Sequence, residues 1–84
     1  MKKSGKDYGF KYHRILHIYT RLMSGEVIYT GALAEYFGVN EKWICQDLHD
    51  LGLFLEDQRR QGFEGGTIAY CQEEGGYRLN REKR

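Results

Sequence analysis

Apolar residues in the first third of this chain recur at helical spacing. Tyr12, Ile15, Leu16, Tyr19, Leu22 and Met23 draw one stripe down a helix of about three turns. Ser24 and Gly25 close it, since glycine most readily takes the left-handed conformation that ends a helix. Glu26, Val27, Ile28 and Tyr29 predict a short extended piece, after which Thr30 is placed to cap a second helix with Leu33, Tyr36 and Phe37 turned inward. Gly38 breaks that helix, Val39 plugs the corner, and Asn40 is a strong N-cap for a third helix beginning at Glu41. Ile44, Leu48 and Leu51 share a face of this third helix, and Gly52 is its expected stop.

Beyond Gly52 the pattern changes. Leu53, Phe54 and Leu55 form a short apolar run, followed by the polar stretch DQRRQGFEGG, in which GFEGG reads as a wing turn with Arg59, Arg60 and Gln61 at a hairpin tip. Thr67, Ile68, Ala69, Tyr70 and Cys71 have strand composition, Glu74, Gly75 and Gly76 a turn, and Tyr77, Arg78 and Leu79 a second strand. The expected fold class is α+β: a winged helix-turn-helix of three helices followed by a two- or three-stranded antiparallel β-hairpin wing. Its expected organisation is a flexible basic arm over 1–10, the domain over 11–80 and a charged tail over 81–84.

A chain of 84 residues supports one core and one principal site. No apolar run is long enough for a membrane span or a secretory leader, so the cytoplasm is the expected compartment and no membrane partner is anticipated. Cys45 and Cys71 form no CxxC pair and are expected as free thiols. His13 and His17 share a helical face without a third ligand at metal-site spacing, so no metal and no cofactor are expected. An enzyme is not expected either: no nucleophile has a base beside it, and the Asp47, His49 and Asp50 cluster points in divergent directions.

The formal charge of +1 conceals an asymmetry. Lys2, Lys3, Lys6, Lys11, Arg14 and Arg21 face only Asp7 in the first quarter. In the middle, Glu35, Glu41, Asp47, Asp50, Glu56 and Asp57 face only Lys42. Phosphate contact depends on where cations lie rather than on their sum, so the near-neutral total leaves nucleic acid as a partner.

The run LAEYFGVNEKWICQDLHDLG, with GGYRL closing the hairpin, resembles the N-terminal DNA-binding module of DeoR-type and WYL-domain bacterial transcription regulators. Leu33, Ala34, Glu35, Phe37, Gly38, Val39, Asn40, Ile44, Asp47, Leu48 and Leu51 carry the resemblance, with Gly75 to Leu79 as the wing ending. It covers about residues 11–80. It departs from the family at Trp43, where a small threonine is usual, and at Cys45 and Gln46, where two basic residues are usual.

The resemblance implies that the third helix lies in the major groove, with Glu41, Lys42, Trp43 and Gln46 nearest the base edges. Lys42, Trp43 and Gln46 are the expected base readers, Gln46 foremost because its amide can both donate to and accept from adenine. Contacts to the DNA backbone are expected from Lys2, Lys3 and Lys6 of the arm, from Thr30 and Asn40 at helix starts, and from Arg59 and Arg60. The function that follows is sequence-specific binding of double-stranded DNA by a small bacterial or phage transcription regulator, with a homodimer supplying affinity. The alternative is a winged-helix protein-interaction module, of mobile-element or phage inhibitor type, that meets a protein partner through its acidic third helix and Trp43.

Overall fold

The structure, a computed structural model, describes residues 10–81. Helices α1 (Lys11–Met23), α2 (Thr30–Phe37) and α3 (Glu41–Arg60) precede strands β1 (Gly66–Cys71) and β2 (Gly76–Arg81). The two strands pair antiparallel in one register from Gly66 opposite Arg81 to Cys71 opposite Gly76. Ile28 adds a single bridge to Tyr77, with backbone hydrogen bonds of 2.7 and 2.8 Å in both directions. This is an α+β fold of three helices and a two-stranded hairpin, compatible with a winged-helix layout.

The first two helix ends form for the reasons the sequence offers. Gly25 and Gly38 have φ of 85° and 71°, a region that residues with a Cβ rarely adopt. Asn40 caps α3 by accepting a 3.0 Å hydrogen bond from the Lys42 amide, which satisfies one of the free donors at the helix start. Thr30 does not cap α2. It is the first helical residue, Tyr29 is the N-cap, and the Thr30 hydroxyl donates instead to Glu41 Oε2 at 2.6 Å, tying the start of α2 to the start of α3.

The third helix runs eight residues past its expected stop. Gly52 costs helix stability, on the order of 1 kcal/mol relative to alanine. Leu55, however, continues the Ile44, Leu48 and Leu51 stripe, and all four side chains are buried in the core. That burial outweighs the glycine penalty, at roughly 2 kcal/mol for a leucine withdrawn from water. The helix ends instead at Gln61 and Gly62, where Gly62 has φ of 93° and the Phe63 amide reaches back to the Gln58 carbonyl. Consequently Leu53 and Phe54 are helical and half exposed, and GFEGG is the link from α3 to β1 rather than the wing turn. The hairpin turn is formed by residues 72–75.

The core lies where the three helices meet, around Ile18, Leu22, Ile28, Leu33, Phe37, Ile44, Leu48, Leu51 and Leu55. On α1 the buried positions are Arg14, Ile18 and Leu22. The stripe read from the sequence is rotated from this one, leaving Tyr12 and Leu16 at 68 and 61% exposure. On α2 it is Ala34 that joins Leu33 and Phe37 inside, while Tyr36 lies outside and stacks on His17 with ring centroids 5.5 Å apart.

Candidate nucleic-acid interface

The exposed face of α3 follows from helical spacing. Lys42, Gln46, His49, Leu53 and Arg60 stand four, seven, eleven and eighteen residues along from the first and therefore point the same way. Trp43 and Asp50 flank this stripe on the side of α1. The N-terminal half of the face, with α1 beside it, forms a cleft of about 410 Å³ lined by Lys11, Arg14, Lys42, Trp43 and Gln46. The three expected base readers are thus brought together, joined by two α1 cations that sequence reasoning had not assigned to the site.

Those two cations alter the electrostatics of α3. Asp47 is completely buried, not a surface charge of the helix, and Arg14 beside it is 1% exposed. The Arg14 Nε donates to Asp47 Oδ2 and its Nη2 donates to Oδ1 at 3.2 Å, the forked arrangement that suits a carboxylate. Lys11 adds 3.0 Å to Asp47 Oδ1 and 2.8 Å to Asp50 Oδ2. Hydrogen bonds from Lys11 first, and then from Gln46, hold the Asp50 carboxyl below its ordinary value. The Lys11 ammonium is in turn held above its own ordinary value by its hydrogen bonds to Asp50 first and to Asp47 second. Glu41 is engaged separately by Thr30. Every carboxylate in the first ten residues of α3 therefore has a partner.

Two further contacts orient Trp43 and Gln46. The Arg14 guanidinium lies 5.3 Å from the centroid of the Trp43 ring, a cation–π contact that fixes one face of the indole while the residue stays half exposed. Trp43 thus leans on α1. Gln46 Nε2 donates to Asp50 Oδ1 at 3.1 Å, one turn along, which sets the amide with its carbonyl and second N–H available outward.

The expected backbone contacts separate. Asn40 and Thr30 lie at the same end as the cleft, although the Asn40 carbonyl oxygen is occupied as a cap and the Thr30 hydroxyl by Glu41. Arg59 and Arg60 are not at a hairpin tip. They form the last turn of α3, about 27 Å along the axis from Lys42 for an eighteen-residue separation. The true tip contains Glu73 and Glu74, with Glu74 paired to Arg78 at 3.0 Å. Lys2, Lys3 and Lys6 lie outside the described residues.

The signal for Lys11 and Arg14 was present in the sequence as complementary spacing. Two cations three apart on one helix match two carboxylates three apart, Asp47 and Asp50, on another. Only the packing of α1 on α3 shows that the pairs face each other. Cys45 and Cys71 are free thiols, one exposed and one half-buried. Among the described residues no helix is long and apolar enough to cross a membrane. Comparison with known protein families, with curated proteins and with solved structures gave no match for this chain.

Proposed function

We propose that this domain is a winged helix-turn-helix that binds double-stranded DNA, reading sequence through the first half of α3 as a small bacterial or phage transcription regulator. The observation that carries this reading is the pairing of Asp47 and Asp50 on α3 by Lys11 and Arg14 on α1. Lys11, Arg14 and Lys42 stand against Asp47 and Asp50, so the cleft bears one net positive charge where the sequence alone suggested an acidic helix. Lys42 then serves a phosphate or a guanine edge, the outer edge of Trp43 an apolar contact such as a thymine methyl, and the preset Gln46 amide an adenine.

A titration of the full-length chain with duplex DNA by fluorescence anisotropy, across salt concentrations, tests it. Affinity falls linearly on logarithmic axes as salt rises, and Lys42→Ala lowers it for all sequences, shallowing the slope by about 0.9 if one phosphate contact is lost. Gln46→Ala changes preference at one base pair, by about 1–3 kcal/mol of discrimination. No binding to a mixed duplex pool at 50 mM salt, at protein concentrations near 100 μM, refutes it. A second reading, a protein-interaction module, is favoured by one observation: Glu73 and Glu74 give the hairpin a tip that repels phosphates. On that reading Trp43 and the apolar wall of the cleft meet a polypeptide, and the DNA titration is flat.

A further inference from the structure

A chain of polar contacts with a fixed direction ends at Gln46. Lys11 Nζ donates to Asp47 Oδ1 at 3.0 Å and lies 2.8 Å from Asp50 Oδ2, while Asp50 Oδ1 accepts from Gln46 Nε2 at 3.1 Å. Asp47 is completely buried and also holds the Arg14 guanidinium, so the far end of the chain is anchored in the core. A carboxylate can only accept hydrogen bonds, whereas a primary amide has one end that donates and one that accepts. Asp50 therefore decides which end of the Gln46 amide faces it: the NH2. Turned over, the amide would set Oε1 against Asp50 Oδ1, oxygen to oxygen, and the carboxylate could not swing aside without breaking its bond to Lys11. By itself a glutamine bonded to an aspartate one helical turn away is weakly held. The charged bond on the second carboxylate oxygen is what stiffens this one.

We propose that Lys11 and Asp50 are positioning residues that make Gln46 tell an A·T pair from a T·A pair. The proposal rests on the reading of α3 as the helix in the major groove. There adenine presents its N7 acceptor at the outside of the pair and its N6 donor nearer the middle, and reversing the pair reverses their order along the groove. A free glutamine amide meets either order by a half-turn about its last bond. An amide held in one order meets one of them, and the other sets donor against donor and acceptor against acceptor. The protein contains its own comparison. Gln61 Nε2 donates to Asp57 Oδ2 at 3.0 Å, also across one helical turn, but among the described residues no cation pairs with Asp57. That glutamine has a partner without an anchor.

Two measurements on the full chain test this, the first without DNA. Side-chain nitrogen relaxation by NMR is expected to show the Gln46 amide more ordered than that of Gln61. Asp50→Asn, whose new side chain can donate as well as accept, brings Gln46 down to the level of Gln61. The second measurement is the affinity for duplexes that differ only at the base pair where Gln46→Ala changes preference. The parent separates A·T from T·A there by about tenfold, and Asp50→Asn narrows this to about twofold or less. The same variant binds both duplexes more tightly, since a negative charge near the phosphates is gone. Lys11→Met, which leaves the Asp50 carboxylate free to turn, narrows the separation from the other end of the chain. Damage to the fold would weaken both duplexes together, so affinity rising while discrimination falls distinguishes positioning from stability. A Gln46 as mobile as Gln61 in the parent overturns the proposal, as does discrimination that either variant leaves intact. An ordered Gln46 in a protein that binds no duplex refutes the DNA reading of α3 itself, and the choice between A·T and T·A with it.

Discussion

The buried Arg14–Asp47 pair makes a prediction in which two damaging substitutions cancel. A domain of this length has an unfolding free energy of about 4–13 kcal/mol. Asp47→Leu leaves a guanidinium that is 1% exposed without its forked carboxylate, at a cost of about 3–5 kcal/mol, enough to unfold the lower half of that range. Arg14→Met is milder, because Lys11 still reaches Asp47 at 3.0 Å and is itself half exposed to water. Replacing both together removes the desolvation of two ions and fills the same space with apolar atoms, which is neutral or stabilising. Urea unfolding followed by circular dichroism, on the parent, both single variants and the double variant, gives a coupling energy of about 3 kcal/mol or more. Trp43, the single tryptophan of the chain, reports the same event by its emission, because its ring rests on Arg14. Single-variant losses that simply add to within about 0.5 kcal/mol of the double-variant loss would refute the reasoning, since they would mean that the two charges do not depend on each other.

Gly52→Ala raises stability by about 0.5–1 kcal/mol in the same urea assay, because a Cβ at this mid-helix position meets nothing within 4 Å; a loss would mean that α3 ends there. The His17 imidazole is held below its ordinary pKa of 6.5 chiefly by burial, with the charges of Arg21 and His13 adding and Glu26 opposing. Its proton is therefore bound more readily in the unfolded chain, and the stability it contributes, complete above pH 6.5, declines as pH falls through that value toward the folded pKa. The thermal midpoint of the parent drops more between pH 7 and 5 than that of His17→Gln, and parallel curves for the two proteins would count against this account.

The parts of the fold legible in the sequence are those decided locally. Gly25 and Gly38 require a left-handed conformation, and Asn40 has an acceptor to offer the next turn, so the ends of α1 and α2 and the start of α3 follow from residue chemistry. The errors share a different origin. Gly52 is a local stop signal overridden by the burial of Leu55, and that one extension carries Arg59 and Arg60 from an expected hairpin tip to a helix end. On α1, two apolar stripes overlap at neighbouring positions, and the periodicity cannot say which one meets α3. That Lys42, Trp43 and Gln46 share one cleft was legible because the start of α3 was. Its electrostatic setting was not, since Asp47 counts as acidic in the sequence and as neutralised once α1 is packed over it.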